Sequence, residues 1–407
     1  YKLYSNSDTA QDTAPIYGQA DSFNDFGFVA GGGTDGSNPL SDSNQSGTNY
    51  VCWSWKAGGS KNTFNVDDVG YANASDVNMS VGALNNIAYN QSQNWSGNAT
   101  GGQNVDRAFD GTGPRKDHYS HSANSLTVNF SPALSGRIIV YGGVGGSGSD
   151  TYTLSDGSSQ SSPQYYGTAP YYEALDFGVK SNITSVTCSN GYTLYGIRVD
   201  GKLLVDSGVS INAPSIPATA CSVGTKQGFS IIRYQANSTA GATIPHGLSE
   251  APTFVLVKSL ETAGSSNSDW TVFHSTLRGT KAMYLNEQDG SGATGSWRDK
   301  DPDANLITLG TAHVSNLDPN HYIAYAWHDV PGLQKFGSYG GADAFVELGF
   351  RPAVLIIKSE SGSRNWIIID STRDTFNPSD KALLVNDNAQ EDDNSVYAID
   401  FLSNGFK

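Results

Sequence analysis

Two tyrosine pairs sit close together in the segment SPQYYGTAPYYEALDF, Ser162–Phe177. A tyrosine offers a flat apolar face and a polar edge, which suits stacking on a pyranose ring when the side chain is exposed. Tyr165, Tyr166, Tyr171 and Tyr172 are therefore the candidate carbohydrate-binding residues. The competing structural role is that paired tyrosines cap a sandwich or line a subunit interface.

Other reactive side chains form no catalytic pattern. His118 and His121 are close but have no HExxH motif or carboxylate partner. His246 falls in the turn PHGLSEAP, and no GxSxG elbow or P-loop occurs. GGVGGSG, from Gly142, is followed by no helix whose N-terminal amides could hold a phosphate. The acidic runs DKDPD and EDDNS lie in turn-rich stretches, where carboxylates are normally solvated. Asp106, Asp110 and Asp117 offer three carboxylates, whereas calcium takes six or more oxygens. Calcium on these three is the weak candidate; otherwise no cofactor and no metal site are expected. The expectation is a protein that is not an enzyme.

The elements that must position these residues are strands. The chain has 407 residues, 46 of them glycine, and its short apolar runs are bounded by Ser, Thr, Asn and Asp. That pattern belongs to all-β sandwiches and barrels. With 21 Tyr, 16 Phe and 7 Trp there is ample aromatic material for packed cores.

Two stretches repeat. GFSIIRY…APTFVLVKS…DWTVFHS…MYLNE starts at Gly228, and KFGSYGG…RPAVLIIKS…NWIIIDS…LLVND starts at Lys335. Pro252 leads one apolar strand and Pro352 the other, a position where proline is tolerated. Trp270 aligns with Trp366, and His274 with Asp370. YIAYAW, Tyr322–Trp327, matches YVCWSW, Tyr50–Trp55, as the closing strand of successive copies. Trp53, Trp55, Trp270, Trp327 and Trp366 are expected in cores. One four-strand unit cannot bury its face alone, so units must share a core.

Residues 86–208 break this rhythm with strand patterns of their own. They end in IRV–Asp200–Gly201–KLLV, where Asp-Gly between apolar residues signals a hairpin. The expected division is a partial β-sandwich unit at 1–85, a jelly-roll insert at 86–208 whose two ends lie close together, a unit at 209–334 and a second, truncated unit at 335–407. RAFDGTGPRKDHYS, from Arg107, resembles the opening of discoidin-type, galactose-binding-like jelly rolls. That resemblance implies calcium in a nearby loop and sugar on the opposite loops. The family's Trp after the motif is replaced here by His118 and Tyr119.

The net charge of −15 opposes nucleic-acid binding and docking on an anionic membrane. No apolar stretch approaches 18 residues. Cys52, Cys188 and Cys221 show neither metal spacing nor a disulfide framework, and Cys52 is expected as a buried free thiol. Such sparse cysteines fit synthesis in a reducing compartment. IDFLSNGFK at the end reads as a strand pattern cut short, so the chain is expected to be a segment of something longer.

YIAYAWHDVPGLQKFGSYGGADAFVELGFRPAVLIIKS…NWIIIDSTRD and GFSIIRY…ATIPHGLSEAPTFVLVKS resemble repeat modules of bacteriophage virion proteins common in phages of marine bacteria and cyanobacteria. The resemblance covers roughly residues 45–85 and 190–407. It implies a tail fibre or other appendage on the virion surface, made in the bacterial cytoplasm. The expected partners are other virion proteins, a host-surface glycan and further copies in a homotrimer. The alternatives are a purely structural virion protein (capsid fibre, decoration or tail spacer) and, more remotely, a non-viral extracellular filament.

Overall fold

The computed structural model describes residues 2–12, 19–24, 27–31, 46–77, 88–89, 95–97, 107–109, 120–121, 125–143, 150–162, 172–189, 193–200, 202–206, 214–261, 268–341, 345–391 and 397–407. The protein is nearly all β, as its sequence pattern requires, with two short 3-10 turns among the described residues.

The centre is a nine-stranded sheet. Its order is Gly292–Ala293, Lys281–Tyr284, Thr271–His274, Phe254–Ser259, His321–Trp327, Phe229–Gln235, Ala218–Gly224, Phe64–Val66, Val69–Tyr71. The Pro-led strand Phe254–Ser259 lies between the tryptophan-led strand and the closing strand His321–Trp327. Val255 and Val257 are buried in the main core with Ile232, Tyr234, Tyr322 and Ala324. A continuous apolar run suits this place, since both edges and one face are covered. Phe64–Val66, from the first unit, joins this sheet parallel to Ala218–Gly224. The second unit's sheet therefore extends across the proposed unit boundaries.

The insert forms an eight-stranded sheet around two long, bulged strands, Ser125–Gly143 and Tyr172–Ser189. Bulges bend such strands, so one face can curl over a core. That core holds Val128, Ile138, Val140, Tyr152, Ile183 and Ile197. The expected hairpin is present: Val199 pairs with Lys202, and Asp200 takes a left-handed φ of 48°. The insert's ends lie side by side, because Val205–Asp206 pairs parallel with Ala88–Tyr89. Its other face is not free. Ile139, Tyr141, Tyr172 and Tyr195 pack into the main core with residues of 216–326.

The third unit repeats the second unit's ladder. Phe254, Val255, Leu256 and Val257 pair with His274, Phe273, Val272 and Thr271. Val354, Leu355, Ile356 and Ile357 pair with Asp370, Ile369, Ile368 and Ile367. The amide of Ser275 donates to the Thr253 carbonyl (2.8 Å), and that of Ser371 to the Ala353 carbonyl (3.0 Å).

Two sequence expectations fail here. Tyr50–Trp55 belongs to no strand, although it matches the closing strand His321–Trp327. A strand persists only where a ladder satisfies its backbone, and among the described residues no strand pairs with these. Consequently Trp55 is 45% exposed, Trp53 is half-buried, and the thiol of Cys52 is exposed beside the Ser54 hydroxyl. Trp270, Trp327 and Trp366 are buried, as are Cys188 and Cys221, whose Cys221 thiol burial pushes up to about 12.

Candidate functional site

The clearest built site is the joint between successive units, which the chain forms twice. Trp366 opens the tryptophan-led strand of the third unit. Its backbone N–H donates to the Asn386 side-chain oxygen (2.7 Å), and its carbonyl accepts from the Val385 amide (2.9 Å). Trp270 repeats this with Asn286 (2.9 Å) and Leu285 (2.9 Å). An Asn at this place bridges two strands because its amide is both donor and acceptor. Asn286 also donates to the Asp269 carboxylate (2.7 Å), and Asn386 to the Asn365 side chain (3.0 Å).

The indoles then reach across to the preceding unit. Trp366 Nε1 donates to the carbonyl of Tyr284 (2.9 Å), and Trp270 Nε1 to that of Tyr4 (2.9 Å). The lysine of each KS pair does likewise. Lys358 Nζ donates to the Gln288 carbonyl (2.8 Å) and Lys258 Nζ to the Asp8 carbonyl (3.1 Å). The Ser291 amide donates to Glu360 (2.8 Å) and the Gln11 amide to Leu260 (3.0 Å). Residues 4–11 thus sit on the second unit as residues 284–291 sit on the third.

Around the joint, Trp270, Val272, Met283, Leu285 and Trp366 form one apolar cluster, against which Leu3 and Val385 pack. Ser5 Oγ donates to the Val385 carbonyl (2.8 Å), so the equivalent segments of all three units meet. Lys258 has no exposed surface, and burial depresses its pKa to about 8, against the pull of Asp8 and Asp269. Lys358 shifts the same way through burial. Beside the second joint opens a cleft of ≈ 500 Å³ lined by Lys281, Asp289, Ser291, Glu360, Ser361 and Ser363. Lys281 and Glu360 pair across it (3.4 Å). None of its lining side chains is aromatic, so it offers hydrogen bonds and no stacking surface.

Of the predicted sugar site only Tyr172 is described, and for that residue the expectation is corrected. Tyr172 is 3% exposed and packs edge-on against Tyr141 (5.8 Å) and tilted against Tyr195 (5.1 Å). It begins a long strand whose first residues, Tyr172 and Ala174, face the main core while Leu175, Phe177 and Ile183 face the insert's own, so its ring is unavailable for stacking. Thr225 and Ser249 stand beside its hydroxyl, and neither closes a well-formed hydrogen bond with it. Tyr165, Tyr166 and Tyr171 lie outside the described residues, as do the calcium candidates Asp106, Asp110 and Asp117 and also His118. Among the described residues no group of three or more His, Cys, Asp or Glu could hold a metal ion.

The other candidates have structural partners. His246 is fully buried: its Nδ1 accepts from the Leu248 amide (3.1 Å) and its Nε2 reaches the Asp303 carbonyl (3.1 Å). Ser249 and His328 make a serine–histidine contact of 3.1 Å that the sequence did not suggest. Both are buried, and the other ring nitrogen meets the Asp329 backbone carbonyl (2.7 Å) rather than a carboxylate. In DKDPD, Asp301 pairs with Arg278, and Asp303 accepts from the Asn305 and Leu306 amides. Glu391 pairs with Arg373 (2.6 Å).

No described helix is long and apolar enough to cross a membrane, which says nothing of a β-barrel. A family model described as a domain of unknown function, DUF7483, matches residues 205–407. No curated protein matches the chain. Among solved structures, the Escherichia coli protein YhaK is similar at 8% identity and a TM-score of 0.14, over 51% of this chain and 86% of that one.

Proposed function

We propose that this chain is part of a bacteriophage virion appendage, tail-fibre-like, in which tandem β-units set length and stiffness and the insert is carried as a side module. The observation that supports this reading is the repeated joint. The second and third units each give a tryptophan, a lysine and a backbone carbonyl to fixed positions of the unit before. A contact written twice in the same register builds an array rather than a pocket. In that role the chain needs no catalytic step and no cofactor. The purely structural form of the reading is favoured, because the one described tyrosine of the predicted glycan site is buried. Low charge density and a net charge of −15 suit a particle surface bathed in salt. Other virion proteins are its partners on this reading.

Labelling intact particles with antibodies against the chain tests it. Gold along a fibre or tail, with adsorption to host cells unimpaired by the antibody, is the expected result. Label at a tip, with adsorption blocked, would replace spacer by receptor binder. Absence from particles would end the virion reading.

A further inference from the structure

The two joints share their backbone bonds but not their side chains. Ser291 donates to the Glu360 carbonyl where Gln11 donates to that of Leu260, and Lys358 reaches the Gln288 carbonyl where Lys258 reaches that of Asp8. These bonds fix the equivalences: Glu360 stands for Leu260, Asp289 for Thr9, Gly290 for Ala10 and Ser291 for Gln11. Leu260 is buried in the first joint. Glu360, in its place, turns a carboxylate outward, with 57% of its side chain exposed. The array contact is the same in both joints, so it does not require the polar set found at the second.

The cleft of ≈ 500 Å³ opens where these residues differ. One wall is residues 289–291 of the second unit, with Lys281 on the strand that pairs with Gly292–Ala293. The other wall is residues 360–363 of the third unit. The walls are fastened before any ligand arrives. A Cβ on Gly290 would meet the Glu360 carbonyl at 2.6 Å, so the two backbones touch there. The Arg364 amide donates to the Gln288 carbonyl (2.9 Å), and Lys358 Nζ spans the carbonyls of Gln288 (2.8 Å) and Arg364 (2.9 Å). The side chains between the walls are held more loosely. Lys281 Nζ lies 3.4 Å from Glu360 Oε1, and Ser363 Oγ lies 3.4 Å from Asp289 Oδ1. Bonds of that length are weak, and both pairs can open to a ligand.

We propose that this cleft binds a neutral saccharide of one or two rings, bridging the second and third units. Its volume is that of a small-molecule site. A ring hydroxyl donates one hydrogen bond and accepts others, and the cleft sets donors beside acceptors to match: Lys281 beside Glu360, and Ser363 beside Asp289. Charge selects against other ligands. Glu360 faces Lys281, and Asp289 pulls on the Lys358 ammonium against the burial that lowers its pKa. Each carboxylate thus has an ammonium counterpart, so a cation finds no unbalanced charge and an anion meets two carboxylates. Among the described residues no group of three or more His, Cys, Asp or Glu could hold a metal ion. No apolar side chain lines the cleft to hold a hydrophobic ligand.

The inference adds a ligand to the second joint and does not rest on the virion reading. Failure to bind sugar leaves the array intact, and absence from particles leaves the cleft intact.

Saturation-transfer NMR on the full chain, with maltose, lactose, chitobiose and mannobiose as probes, should show transfer to at least one of them. The same sugar should raise the melting temperature as its concentration rises. Glu360→Leu and Asp289→Thr copy the first joint at two exposed positions. Both should keep the circular dichroism spectrum and weaken binding by about tenfold, the loss of one hydrogen bond to a charged group. The hexasaccharide of the best binder tells the sources apart, and either result upholds the site: binding retained marks a surface polysaccharide, binding lost marks a free sugar. The proposal is overturned if none of the disaccharides binds, or if binding is unchanged in both variants. It is also overturned if spermidine or inorganic phosphate, offered in the same assay, binds more tightly than every sugar.

Discussion

Trp366 gives its indole N–H to the backbone carbonyl of Tyr284 at 2.9 Å, across the boundary between two units. Trp270 does the same to Tyr4, 2.9 Å away, with its backbone held by Asn286 as that of Trp366 is by Asn386. The two joints are one design used twice, and most of the testable consequences follow from that.

Trp366→Ala should destabilise the chain by about 3–5 kcal/mol, since a large buried aromatic is lost and a cavity remains. Trp366→Phe keeps most of the apolar area and removes the indole bond to the Tyr284 carbonyl, which retains the Glu287 amide (3.3 Å), a cost of about 0.5–1.5 kcal/mol. Urea unfolding followed by fluorescence should rank them in that order. Equal losses for both would mean that the indole bond contributes nothing.

Lys258 gives a pH signature. Its pKa in the folded chain is about 8, below the unfolded value, because burial disfavours the charge. Between about pH 8 and 10.5 the unfolded chain binds the extra proton, so stability rises with pH across that window. Below it, the full penalty of the buried charge is present. Lys258→Met removes the titration, and the wild type should gain stability relative to that variant from pH 8 to 10. Melting temperatures of the two proteins that run parallel over this range would contradict the assignment.

Asp370 behaves in the opposite sense. Burial raises its pKa, but the Arg373 side chain and the Thr372 and Arg373 amides outweigh that, and the net shift is downward. Its stabilising contribution is present above the ordinary carboxylate range and is lost as pH falls through the lower folded value. Asp370→Asn should cost about 1–3 kcal/mol near neutral pH, because Arg373 loses its buried carboxylate and keeps only Glu391 at the surface. The gap between variant and wild type should close in strong acid, as read by chemical denaturation at pH 7 and at pH 3.

Tyr172 separates the buried role from the sugar-stacking one. Tyr172→Ala should lower stability by about 3–5 kcal/mol. Tyr172→Phe, which removes a buried hydroxyl lacking a well-formed bond, should be neutral or stabilising by roughly 1 kcal/mol. Residues 86–208 expressed alone should fold around their own core yet bind a hydrophobic dye, because Ile139, Tyr141 and Tyr195 lose their cover. Full-length Tyr172→Phe showing a specific loss of glycan binding would restore the exposed-tyrosine reading.

Much of the architecture was legible from spacing. Pro252 and Pro352 each lead the apolar strand they predict, and the Trp270–Trp366 equivalence holds to individual hydrogen bonds. The short pattern Tyr4-Ser5-Asn6 matches Tyr284-Leu285-Asn286 and Leu384-Val385-Asn386, and was readable as the same joint element. It escaped notice because three residues carry little signal without the neighbour that they touch. Tyr172 was misread for the converse reason: YY is a clear pattern, but the chemistry of each ring depends on which face is covered.

Residue order alone determined the all-β character, the repeat and its register, because alternation, turn formers and strand-leading prolines act over a few residues. Tertiary structure decided which copies of the repeat become strands. His321–Trp327 is a strand and Tyr50–Trp55 is not, though their sequences agree, because a strand's backbone groups need a partner ladder. It also decided that Tyr172 is a core residue, since burial depends on a second sheet folding over the ring from residues distant in the chain.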